Sequence, residues 1–154
     1  MTGIRPFGLT IAALGLWGCA TASVENGDVV ALPTAGERPD IHLTPLLAGT
    51  VILDDGCLYV AQPGGPRRYV IWPYGTRVET SGGRLVLVNG RTRVAVGDEV
   101  ALGGGSFPAD APGASVFAAP PPPARCVGAG EEVFGASTLE PLASFERRHR
   151  RVRD

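Results

Sequence analysis

The feature that most limits how this chain folds is a train of short apolar, β-branched runs cut by glycine-bearing turns, recurring about every ten residues between Thr50 and Leu102. Thr50-Val51-Ile52-Leu53 meets Asp54-Asp55-Gly56, and Cys57-Leu58-Tyr59-Val60-Ala61 returns as the second arm of a hairpin. Pro63-Gly64-Gly65-Pro66 separates this pair from Arg68-Tyr69-Val70-Ile71-Trp72, which Pro73 stops. Thr76 to Thr80 alternates with period two, Ser81-Gly82-Gly83 turns, and Arg84 to Val88 runs on to Asn89-Gly90, the strongest hairpin signal in the chain. Arg91 to Val96 alternates again, and Glu99-Val100-Ala101-Leu102 is the last short strand before Gly103-Gly104-Gly105, which reads as a flexible turn. With 22 Gly and 14 Pro in 154 residues, strands joined by turns are favoured over helices.

Strands at this spacing predict an all-β fold, a small OB-like (oligonucleotide/oligosaccharide-binding-like) or Greek-key barrel of five to six short strands, because a barrel closes its own edges. Residues 50–135 are assigned to it, with Glu132-Val133-Phe134 as one added edge strand. Residues 19–49, interrupted by Pro33, Gly36, Pro39 and Pro45, read as a flexible tether, and residues 1–18 as an export signal. Pro108 to Ala124 is loop-like, and Pro120 to Pro123 predicts a stiff strap that brings Cys126 back to Cys57; the alternative is a proline-rich ligand for another protein. Residues 136–154 read as a basic C-terminal helix or tail, helical from an N-cap at Thr138, with Leu142, Phe145, His149 and Val152 on one face. Arg147, Arg148, Arg150, Arg151 and Arg153 make its end a solvated basic tail, or a contact for anionic lipid headgroups.

The first 18 residues carry one Arg, the apolar run Phe7 to Trp17, and then small residues, the layout of a secretory signal and too short to span a bilayer. Leu16-Trp17-Gly18-Cys19 resembles the lipobox of bacterial lipoproteins, although Trp17 stands where that pattern has a smaller residue. The resemblance implies a lipid on Cys19 and a chain anchored to the cell membrane or outer membrane, facing the periplasm or exterior. Ala20-Thr21-Ala22 offers a second cleavage site, which would release a secreted protein that lacks Cys19. Three cysteines in an exported chain leave one unpaired, and that oddity vanishes if Cys19 is acylated and Cys57 pairs with Cys126; the alternative is two free buried thiols.

Gly56-Cys57-Leu58, Ile71-Trp72-Pro73 with Gly75, Val96-Gly97-Asp98 followed by Gly103 to Gly105, and the late Cys126 carry a second resemblance. Residues 49–135 are similar to a loosely defined group of exported bacterial small β-barrel domains, a resemblance that implies no activity.

The formal charge is −1, and beyond residue 18, without Arg5, 13 Arg stand against 15 acids for a charge of −2, so no electrostatic case exists for a nucleic-acid partner. Only His42 and His149 are available as imidazole bases, and pairing Cys57 with Cys126 consumes the thiol that His42 would activate; no catalytic residue is assigned. Asp40, His42, Asp54 and Asp55 have metal-compatible donors without the spacing of a metal site, so no metal or other cofactor is expected. Glu131 and Glu132 are adjacent and diverge if they lie in a strand, and Gly103 to Gly105 lacks the Lys-Ser/Thr of a phosphate loop. Trp72, Tyr74, Tyr59 and Arg68, with Tyr69 and Arg67 nearby, are the candidate ligand-binding residues, able to stack on a sugar or base if they share a barrel face; otherwise Trp72 is core and the tyrosines cap its edges. The expected function is a non-catalytic envelope lipoprotein that binds an envelope protein or cell-wall component or supports envelope structure. The alternatives are a small-molecule or glycan-binding barrel using Trp72 and Tyr74, and an envelope hydrolase.

Overall fold

A computed structural model describes residues 30–37, 46–111, 117–128 and 130–151. The export signal, Cys19, Asp40 and His42 lie outside them. The described chain is mostly β, with one short helix near its C-terminus: β1 (Thr34–Ala35), β2 (Leu46–Asp54), β3 (Cys57–Ala61), β4 (Arg67–Ile71), β5 (Arg77–Ser81), β6 (Arg84–Asn89), β7 (Thr92–Ala95), β8 (Glu99–Pro108), β9 (Ala118–Ala119), β10 (Glu132–Pro141) and α1 (Leu142–Arg150). The helix is nine residues long, and none of the described helices is long and apolar enough to cross a membrane.

Five strands hydrogen-bond in the closed order β10-β4-β3-β2-β8, since β10 pairs antiparallel with β8 and parallel with β4. The β2–β3 hairpin turns on Asp55 and Gly56, whose φ angles of 48° and 70° give the two left-handed positions that match strand twist. Inside the ring, Val51, Leu58, Val60, Val70, Trp72, Val100, Leu102 and Phe134 form one core, supplied by all five strands. β5, β6 and β7 form a separate antiparallel meander whose Leu87 and Val94 join that same core. Its docking is fixed by backbone bonds from Gly97 N to the Val51 carbonyl (2.8 Å) and from Val51 N to the Asp98 carbonyl (3.0 Å).

The outer face of β3 and β4 is covered as well. Cys57, Tyr59, Tyr69 and Ile71 pack there with Val133 under Ala118, Cys126 and Val127, a second core that hides almost every side chain of β3. The residues 117–128 form a strap over this face, crosslinked by a disulfide between Cys57 and Cys126 with Cα atoms 5.6 Å apart. The expected pairing of these cysteines is therefore present.

Several boundaries differ from the sequence reading. The supposed tether is in part a structural element: Ala31 bridges Cys57, Trp72 N donates to the Pro33 carbonyl at 2.8 Å, and β1 pairs with β9. β2 begins at Leu46 rather than Thr50, and Leu47 is buried. Gly103, Gly104 and Gly105 are not a turn but the middle of β8, paired with Thr138, Ala136 and Gly135. A Cβ on Gly104 would run into the Gly135 carbonyl and lie 2.8 Å from Phe134 Cε1, so this backbone crossing admits only glycine. The segment at Glu132 is no edge but a ten-residue strand with partners on both sides. Nor does the helix begin at Thr138: its hydroxyl accepts from Gly103 N at 3.0 Å, Leu139 pairs with Leu102 and is buried, and α1 starts only after Pro141. The ladder to β8 holds these residues extended against their helical pattern. On α1 no side chain is buried, and Phe145 stacks on His149 at 3.9 Å.

Candidate functional site

The structure separates the four candidate ligand residues. Trp72 is 0% exposed inside the main core, so its ring has no free face for a ligand, and its Nε1–H is buried without a partner. Tyr74 is 51% exposed in the turn that links β4 to β5, where Gly75 has φ 76° and Thr76 N closes the turn on the Pro73 carbonyl. The pairing of Trp72 with Tyr74 as a stacking platform is thus corrected: neighbouring residues at the strand end divide between core and solvent. Tyr59 and Arg68, by contrast, line one groove of about 490 Å³.

That groove lies between β3–β4 and the strap. Tyr59 and Tyr69 stand directly opposite each other across the β3–β4 pair, which brings their rings edge to face at 5.6 Å. They are 6% and 4% exposed, a floor rather than a platform. The Arg67 guanidinium lies 4.3 Å from the centre of the Tyr59 ring, where it is attracted to the ring face, and is ion-paired with Asp54. Arg68 Nη1 donates to Glu132 Oε2 at 2.6 Å.

The strap supplies the other wall through Ala124, Arg125, Cys126 and Gly128, with Glu131 just beyond it. Besides the disulfide and the β1–β9 pairing, Tyr59 Oη donates to the Cys126 carbonyl at 3.0 Å and Gly128 N donates to Glu131 Oε2 at 3.0 Å. Glu131 and Glu132 therefore point to different partners. The Tyr69 hydroxyl is the exception to this satisfaction, because it is buried with no hydrogen-bond partner. Burial pushes the Tyr69 phenol well above its ordinary range, helped by Tyr59 and opposed by Arg125, and burial raises Tyr59 too, against the opposing charge of Arg67. Both phenols hold their protons at neutral pH. The groove thus offers hydroxyl and guanidinium donors in a fixed frame; it offers no activated nucleophile.

A second depression, about 690 Å³, lies where the β6–β7 turn meets α1, with Arg91, Arg93 and Arg148 around Glu140 and Ser144. Arg148 is paired with Glu140, and Arg93 donates to Glu79 at 3.0 Å, which with Arg77 holds the Glu79 carboxyl below the usual range. Among the described residues no three His, Cys, Asp or Glu side chains gather as a metal site would require.

Sequence reasoning found Tyr59, Tyr69, Arg67 and Arg68 but not the strap wall. Its signal was available, since pairing Cys126 with Cys57 places Arg125 over the neighbours of Tyr59. Compared with known proteins, the chain matches no family model, no curated protein and no solved structure.

Proposed function

We propose that the protein is a lipid-anchored module of the bacterial envelope that works by binding, through a compact β-domain, to a cell-wall component or envelope protein. The observation that carries this reading is the Cys57–Cys126 disulfide. A crosslink of this kind belongs to an oxidising compartment, and it leaves Cys19 as the odd cysteine, at the position where Leu16-Trp17-Gly18-Cys19 resembles a lipobox. The signal cut before Cys19, the lipid on it and the anchored location are parts of the proposal, as is attachment to the outer membrane where the host has two. The finer fold assignment is proposed with them. Numbered in order of first appearance, the ring closes as 1-2-3-5-4-1 with a single parallel pair between the third and fifth strands, the arrangement of an OB-like barrel.

Binding of a small polar ligand is a second reading, favoured by the groove at Tyr59 and Arg68 rather than by Trp72 and Tyr74. The test of the leading proposal is the intact mass of the protein purified from the membrane fraction, before and after reduction. A chain that begins at Cys19, carries acyl mass and gains two hydrogens on reduction is the expected result. A soluble chain that begins at Ser23 refutes the anchor.

A further inference from the structure

We infer that the groove between β3–β4 and the strap is a binding site for a carboxylate or phosphate group carried on a sugar-sized molecule. The inference deepens the small-ligand reading and is independent of the lipid anchor. At about 490 Å³ the groove is within the range of small-molecule sites, and its walls come from a strand pair and a strap held by a disulfide, so it is preformed. Among the described side chains that line it, one buried polar atom has no hydrogen-bond partner. The Tyr69 hydroxyl is a buried donor left without an acceptor, a cost the fold tolerates and a ligand oxygen would relieve on displacing the side-chain atoms that cover it in the empty groove.

The charges around that hydroxyl select the ligand. Arg67, Arg68 and Arg125 line the groove against Glu131 and Glu132, and Arg125 lies close enough for its charge to act on Tyr69. Glu131 is engaged with Gly128 N. The partners of Arg67 and Arg68, Asp54 and Glu132, are each about half exposed, so both carboxylates can turn to solvent and yield their guanidiniums to an incoming anion. With Arg67 already over the Tyr59 ring, the site does not present a free aromatic face. It therefore reads an anionic oxygen in preference to a flat apolar ring.

The experiment is an NMR titration of the full-length, oxidised protein with N-acetylmuramic acid and N-acetylglucosamine, which share a ring and differ in the carboxylate, and with glucose 6-phosphate against glucose. The acids should shift the amides of residues 67–69 and 124–132 with a dissociation constant below about 1 mM, and the neutral partners should not. A preference between the two acids distinguishes a carboxylate source from a phosphate source. Tyr69→Phe should weaken binding about tenfold while leaving the melting temperature of the unliganded protein equal or higher, because it removes an unpartnered hydroxyl. Arg68→Gln should weaken it further. Equal shifts from acid and neutral sugars, no shift at 10 mM, or a Tyr69→Phe protein that binds normally or melts lower would each overturn the inference.

Discussion

Replacing both Cys57 and Cys126 by alanine removes a crosslink between residues 69 apart in the chain. For a closed loop of about 70 residues, the lost constraint on the unfolded chain corresponds to about 4 kcal/mol at 25 °C. Both half-cystines are buried, at 0% and 5% exposure, so the truncations also empty a small packed volume and move the expected loss toward about 5 kcal/mol. Against a stability of about 5–15 kcal/mol for a domain, that is a third or more of the total. Urea unfolding of the oxidised wild type and the Cys57→Ala/Cys126→Ala variant, followed by circular dichroism, gives the number directly. The variant should also show a steeper denaturant slope, because its unfolded chain is more expanded and exposes more surface. Amide exchange should accelerate first at residues 118–128, where the strap loses its main fixing point. A loss below about 1 kcal/mol with an unchanged slope would refute the reasoning, since it would mean that the strap and β3 are held together without the crosslink.

Gly104→Ala should lower the melting temperature by about 10 °C or more, because the added Cβ meets the Gly135 carbonyl, a backbone group that cannot swing aside; thermal unfolding by circular dichroism checks it. At alkaline pH the Tyr59 and Tyr69 phenols, whose folded-state values are raised by burial, keep protons that the unfolded chain releases. Stability is therefore whole below about pH 10 and falls as the pH rises past it, and Tyr69→Phe should unfold at higher pH than wild type; an unchanged alkaline midpoint would count against burial as the cause.

Local signals located the hairpins well because each is decided by its own turn. Asp55-Gly56 turns the chain where its sequence directs, Gly90-Arg91 turns it one residue past the Asn89-Gly90 signal because Asn89 pairs with Thr92, and β5, β6 and β7 follow alternation that needs no distant partner. What escaped local reading was set by partners far along the chain. Gly103 to Gly105 carries every mark of a turn, and the passage of β10 along all three residues, with β2 opposite Gly103, makes it a strand. Thr138 begins a convincing helical pattern, yet the ladder to β8 outweighs helical propensity there. The same holds for the site. Its strand residues could be grouped by sequence, while Trp72, held in the core by its bridge to Thr34 just past the end of β4, and Tyr74, in the turn that follows, diverge, and Arg125 arrives only with the strap and Glu131 just beyond it.

The ring of strands is completed by the strand that comes last. β10 inserts between β4 and β8, and until Glu132 to Pro141 have been made, β4 lacks one neighbour, β8 lacks one neighbour, and Phe134 and Leu139 are missing from the interior. Earlier segments can form the β5–β7 meander, whose contacts are local, but they cannot close the core. A growing chain can therefore build its hairpins early and still hold an open interior, and the two ladders that seal it are gained together when the last described strand slides between β4 and β8.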